Sequence, residues 1–350
     1  MAKSSICFYD QEEDLTYNTE CEEGEVIPDM CLPKAAEDIN STKELLETIA
    51  FIKEHRLYKI NECYLNLIKA ETAIQNIDKL IGMDKIKEMV VHQILSLTKP
   101  TMIKDGFINT AIYGSPGSGK TTLARLLGEI YKKFSIAKTG QFVTADRASL
   151  IGLWVGHTAD KTKKVLQKAL GGILFIDEVY QLGCSQDGNR DSFAKECIDT
   201  INQFLDEHRS ELIVIVAGYE EEVKQNFFAQ NDGLHRRFPF QYTIESYASD
   251  DLYNIFCSQL TAREYKLAGL AEELLLKRIF VDQKDLFAYG GGDTQSFLYK
   301  CAMVHEKRTI SVPSDQGQLS VKDIEKGVVL HKNNKQTEPE MSDAVKQMYS

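Results

Sequence analysis

The 350-residue chain is 43% hydrophobic and 27% charged, ordinary values for a chain that buries a core, and its length suggests roughly two domains. No run approaches the ~18 apolar residues of a membrane span, and the N-terminus lacks the apolar stretch of a secretory signal. The eight cysteines form neither C-x-x-C nor a zinc-spaced cluster, so the sequence points to a reduced, cytoplasmic protein.

Nine of the eleven net negative charges fall in residues 1–40, and the rest of the chain carries no basic stripe suited to nucleic-acid phosphates. Those first 40 residues lack apolar periodicity and are broken by Pro28 and Pro33, so they read as a disordered tail for docking or for solubility. Ser41-Thr42-Lys43-Glu44 fits a capping box. Leu45, Ile49 and Ile52, then Ile60, Cys63, Leu67, Ile74 and Ile77, recur at helical spacing. They predict one or two amphipathic helices over 41–77, packed on the main domain or a neighbouring subunit, or used as a substrate adaptor. Leu80 to Asp84 opens a helix that runs from Lys85 to Leu97 and stops before Pro100.

From Gly106 onward strands and helices alternate, with strands expected at 108–113, 141–145, 172–176, 211–217 and 240–244. That alternation predicts a parallel sheet covered by helices on both faces. After Ser246 the strand signals fade, and helices over 249–265, 271–283 and 294–308 read as a small helical domain. The expected division is therefore a tail (1–40), a helical segment (41–77), an α/β domain (78–246), a helical domain (247–335) and a frayed end (336–350).

Gly114-Ser115-Pro116-Gly117-Ser118-Gly119-Lys120-Thr121, between a predicted strand and a predicted helix beginning at Thr122, fits the phosphate-binding P-loop. Gly117 and Gly119 let the backbone turn its N–H groups toward a phosphate, and the helix N-terminus adds partial positive charge. Lys120 is expected to reach the β/γ-phosphates of ATP, and the Thr121 hydroxyl to ligate Mg²⁺. Downstream, Ile173-Leu174-Phe175-Ile176-Asp177-Glu178 ends a buried strand in two carboxylates. Asp177 is expected to hold the Mg²⁺ shell with Thr121, and Glu178 to orient and deprotonate the attacking water. The added Glu favours hydrolysis over transfer to a small molecule.

The stretches 150–162 and 171–180, with Ala217-Gly218-Tyr219 and residues 227–238, resemble the CbbX/CfxQ branch of AAA+ ATPases. That branch includes the red-type rubisco activases and relatives of the sporulation protein SpoVK, and the match covers roughly 78–310. The resemblance implies a P-loop NTPase fold, a five-stranded parallel sheet of order 5-1-4-3-2 followed by a small α-helical lid. It implies that Trp154-Val155-Gly156 is a pore loop gripping a polypeptide, with a core tryptophan as the alternative. Arg237 matches the arginine finger that completes a neighbouring subunit's site, Arg236 being the second candidate and a surface salt bridge the plain alternative. Ile81 and Gly82 match the segment bordering the adenine, or else form a simple helix-start turn. Two departures stand out. Ala217-Gly218-Tyr219 names no polar sensor side chain, and Gln295 stands where the lid usually carries an arginine at the nucleotide.

The leading expectation is an ATP-hydrolysing motor that remodels a protein client in a homo-oligomeric ring, a hexamer by resemblance, with no membrane partner. A nucleic-acid-directed loader or initiator is disfavoured by the near-neutral core. A nucleotide-gated switch that scarcely hydrolyses is kept open by Gln295. A small-molecule kinase lacks its arginine-rich lid. Neither the client nor the host is legible.

Overall fold

The computed structural model describes residues 38–59, 62–98, 107–152, 154, 156–183, 192–231, 233–310 and 317–337. The expected tail, except for its last three residues, and most of the expected frayed end lie outside these, as does Val155 of the expected pore loop.

Five short segments become five parallel strands: β1 (Thr110–Tyr113), β2 (Phe142–Ala145), β3 (Ile173–Ile176), β4 (Ile213–Gly218) and β5 (Phe240–Thr243). Their order is β2-β3-β4-β1-β5, the expected 5-1-4-3-2 seen from the other edge. Every observed strand falls within a residue or two of the expected bounds. The first begins late, at Thr110, because the Asn109 side chain makes the bonds that a backbone ladder would make there. Its Oδ1 accepts from Val214 N at 2.7 Å, and its Nδ2 donates to Arg237 O at 2.9 Å.

Alternation along the strands divides two cores, since successive side chains leave a strand on opposite faces. Ile173 and Phe175 of β3, with Ile213 and Ile215 of β4, meet one set of helices; Leu174 and Ile176, with Val214 and Val216, meet the other. The first face takes α1 (Thr42–Glu54), α2 (Glu62–Asp78), α3 (Asp84–Leu97) and α4 (Lys120–Lys133), through residues such as Leu45, Ile74, Val90 and Leu127. The helices expected over 41–77 are thus two, and they share a core with the sheet. The capping box forms as read: Ser41 Oγ accepts from Glu44 N at 3.2 Å, and Glu44 Oε2 accepts from Ser41 N at 3.2 Å. The second face takes α5 (Arg147–Leu150), α6 (His157–Ala169), α7 (Ser192–Glu207) and α8 (Glu220–Asn226), through Leu150, Leu166, Ile198 and Val223.

The helical domain is α9 (Ser249–Ala262), α10 (Leu270–Asp282), α11 (Gly291–Thr309) and α12 (Val321–Thr337), around Phe256, Phe280, Phe287 and Phe297. Two short parallel strands, β6 (Lys266–Leu267) and β7 (Gln318–Leu319), tie it across. They are too short to leave an alternating pattern in the sequence. Among the described residues no helix is long and apolar enough to cross a membrane.

Candidate functional site

The β1 ladder runs on into the loop that follows it: Gly114 N donates to Gly218 O at 3.1 Å, so the loop leaves the sheet between β4 and the edge strand β5. Gly117 (φ +69°) and Gly119 (φ +102°) turn the chain through left-handed conformations that only glycine adopts cheaply. Lys120, the first residue of α4, folds back beneath the loop, and its Nζ donates to Gly114 O (2.9 Å) and Ser115 O (3.0 Å). A cleft of about 620 Å³ opens here between sheet and helical domain, a size that suits a nucleotide.

Of the residues expected at the nucleotide, Ile81, Pro116, Gly117, Ser118, Gly119, Lys120, Thr121, Thr122, Asp177, Glu178 and Gln295 line this cleft. Gly114 and Ser115 lie behind it, where their carbonyl oxygens hold Lys120. Gly82 does not line it; it turns the chain at φ +65° and borders a neighbouring concavity with Thr243, Glu245 and Asp251. The sequence offered no sign of Tyr247, whose hydroxyl donates to Ser118 O at 2.7 Å, nor of Gln259, whose Nε2 donates to Gly291 O at 2.9 Å. Both sit outside any motif, in the connection to the helical domain and in α9.

The residues present fit a magnesium nucleotide. Ser118 Oγ is buried without a hydrogen-bond partner among the described residues, and buried hydroxyls seldom go unpaired unless something else meets them. Thr121 Oγ1 donates to Asp177 Oδ2 at 3.4 Å, which brings together two oxygens suited to a hard cation. No cluster of three or more His, Cys, Asp or Glu side chains able to cage a metal occurs among the described residues. The Thr121 and Asp177 oxygens suit Mg²⁺, which takes one or two protein oxygens and draws the rest from phosphate and water.

Charge is concentrated on one side of the cleft. Burial lowers the Lys120 pKa, and the negative charges of Glu178 and Asp177 oppose that shift. Glu178 Oε1 stands 3.9 Å from Lys120 Nζ. Glu178 itself sits at φ +48°, an uncommon conformation for a residue with a side chain, right where β3 ends. Three further groups register its charge. Burial and then a hydrogen bond to Glu178 raise the Tyr180 pKa; burial and then the Glu178 charge raise those of Tyr219 and Glu222. Tyr219 thus stands at the end of β4, beside the lysine, with Lys120 Nζ 5.7 Å from its ring.

The helical domain touches the loop directly. A Cβ on Gly117 would lie 2.7 Å from Tyr289 O and 2.9 Å from the Gly292 backbone, so the start of α11 rests against bare loop backbone. Gln295 follows one turn later and presents an amide to the cleft.

Two expected functional groups lie elsewhere. Trp154 is 68% exposed on the turn ahead of α6, and Gly156 (φ +82°) would leave even an added Cβ with nothing within 4 Å. Arg237 lies in the short helical turn before β5 and does not line the cleft of its own chain. Its guanidinium grips Asp206 and packs over the Phe107 ring at 5.7 Å. Arg236 beside it is exposed.

Comparison with known proteins gives a consistent picture. The family described as ATPase family associated with various cellular activities (AAA) matches residues 110–242. A putative cfxQ-like protein of Acanthamoeba polyphaga mimivirus is 31% identical over 349 residues, covering 93% of this chain and 85% of that protein. Stage V sporulation protein K of Bacillus subtilis (strain 168) is 42% identical over 206 residues, covering 59% of this chain and 61% of that protein. Among solved structures, the AAA domain of FIGL-1 in complex with ADP superposes with a TM-score of 0.51 at 18% identity, covering 72% of this chain and 82% of that one.

Proposed function

We propose, because this chain belongs to the CfxQ-like branch of the AAA ATPase family, that it hydrolyses ATP to ADP and phosphate and uses the cycle to remodel a protein client. The observation that carries this reading is the meeting of Lys120 and Thr121, from the start of α4, with Asp177 and Glu178, from the turn after β3, on one cleft of nucleotide size.

In this reading the loop N–H groups and the start of α4 bind the phosphates, which draw Lys120 off the Gly114 and Ser115 carbonyls. Thr121 and Asp177 would hold Mg²⁺, which when bound neutralises charge on the phosphate oxygens. Glu178 takes a proton from a water as its oxygen attacks the γ-phosphorus, the bond to the ADP oxygen breaks, and inorganic phosphate leaves. Arg237, remote from its own cleft, acts on the cleft of an adjacent copy in a homo-oligomeric ring, a hexamer by family likeness. The exposed Trp154 turn then contacts a threaded polypeptide. Gln295 gives a second reading some support: a neutral amide in place of a cation suits a switch that binds nucleotide and hydrolyses it slowly.

The test is Glu178→Gln. ATP affinity stays within about twofold, while turnover falls by the roughly 10²–10⁴-fold that a general base contributes. Unchanged turnover would remove Glu178 from the chemistry. Wild-type turnover far below the range of about 1 s⁻¹ and upward typical of enzymes would favour the switch.

A further inference from the structure

We propose that Asp206 is a positioning residue for Arg237, holding its guanidinium at the subunit edge in the orientation that meets a neighbouring copy's nucleotide. This rests on the shared-site reading above.

Arg237 is pinned at both ends. Asn109 Nδ2 donates to its carbonyl oxygen at 2.9 Å, while Asn109 Oδ1 accepts from Val214 N, so the backbone at the finger is tied to the sheet beside the start of β1. The next residue, Phe238, is fully buried, with ring contacts to Phe227 and Phe228 at 5.9 and 5.4 Å. At the other end, Arg237 Nε donates to Asp206 Oδ1 at 3.2 Å, Nη2 donates to Asp206 Oδ2, and Nη1 donates to Gly233 O. A second carboxylate on the same helix steadies the loop: Asp199 Oδ1 accepts from Asn231 Nδ2 at 3.1 Å, and Asn231 Oδ1 accepts from Gly233 N at 3.0 Å.

This arrangement leaves the chemistry free. A guanidinium carries five N–H donors. Three are engaged, and one on each terminal nitrogen has no partner among the described residues. Those two donors, on a side chain 15% exposed, are the ones left to meet phosphate oxygens. Asp206 is partly exposed, so solvent screens its charge and its main effect is orientation. Arg236 is the contrast: exposed, it must lose rotamer freedom to dock, a loss Arg237 has already taken on folding.

The test uses mixed full-length chains. Arg237→Ala keeps its own cleft and needs a neighbour's finger, while Glu178→Gln cannot turn over but can lend one. Mixed, they regain turnover. With Glu178→Gln/Asp206→Asn as the lender, the regained kcat is expected to drop at least about tenfold, toward the roughly 100-fold that a 1 Å misplacement costs. KM and the size of the assembly stay unchanged, and Asp206→Glu in the lender restores part of the loss. A lender that works as well or better without the Asp206 carboxylate overturns the proposal. If the parent mixture stays inactive while wild type turns over, the shared site itself fails, and Asp206 with it; an inactive wild type counts against ATP hydrolysis. Should Asp206→Asn not fold, Gly233→Ala in the lender takes its place, since its Cβ would lie 2.6 Å from Arg237 Nη1. The same kcat loss is expected there, and its absence overturns the proposal.

Discussion

The cleft and the finger edge differ in how much is settled before any ligand arrives. At the edge, Arg237 is held by Asp206, Gly233 and Asn109, and its neighbour Phe238 is sunk in the core. At the cleft, Lys120 spends its donors on its own loop, Ser118 Oγ has no partner among the described residues, and Glu178 occupies a left-handed conformation. A polar group left unpaired or an unfavourable backbone angle costs on the order of 1–3 kcal/mol, and such features gather where binding changes the structure. The comparison teaches a division of labour. On the proposed reading the edge is ordered in advance, with the Arg237 side chain only 15% exposed, whereas the cleft would be completed by the phosphates it binds.

The largest expected effect would break or sustain that division outright. Arg237→Ala should reduce kcat by about 10³–10⁵-fold, as loss of an arginine finger does, with nucleotide affinity unchanged because the cleft excludes this residue. Matched titrations of nucleotide binding and phosphate release check it; a parallel loss of affinity would mean that the edge also builds the cleft. A smaller effect sharpens the other side. Gly117→Ala puts a side chain at φ +69° and against Tyr289 O and Gly292, so it should lower stability by about 1–2 kcal/mol and weaken nucleotide binding without altering assembly. Denaturant midpoints and sizing of the assembly measure this.

The smallest effect is a divergence with pH. Burial lowers the Lys120 pKa from 10.5, so the folded chain releases that proton before the unfolded one does. Stability contributed by Lys120 therefore rises with pH between the lowered value and 10.5, while nucleotide affinity falls as the ammonium is lost. The Arg237 hydrogen bond, with the charges of Arg237 and Arg209, lowers the Asp206 pKa from 3.8. Its stabilising contribution is complete above 3.8 and is lost as pH falls through the lowered value. Nucleotide binding should thus weaken on the alkaline side, and the finger loop should loosen, by amide exchange at residues 231–237, on the acid side. The same pH response in both regions would erase the distinction.

The sequence carried the cleft well because its parts are local. Gly114 to Thr121 is one continuous motif, and Ile173 to Glu178 is a strand with its carboxylates at the end. Central strands buried on both faces, β1, β3 and β4, also announce themselves as apolar runs, while the partly exposed edge strands β2 and β5 were legible from their place in the alternation of strands and helices. What stayed hidden depends on residues distant in sequence. The Asp206–Arg237 grip spans 31 positions, Asn109 to Arg237 spans 128, and Tyr247 to Ser118 spans 129. The last helix, α12, has its apolar positions diluted by lysine and asparagine, so its periodicity is faint. Gly82 was assigned to the nucleotide by resemblance; Ile81 lines the cleft, and Gly82 borders the neighbouring concavity.

The central claim is that two copies of this chain complete one ATP-hydrolysing site. Its most direct test is the rate of phosphate release per chain, with saturating magnesium nucleotide, followed over a wide range of protein concentration. The account predicts a rate per chain that climbs with concentration to a plateau as copies assemble. A rate per chain that stays constant down to concentrations where sizing finds only monomers would contradict it.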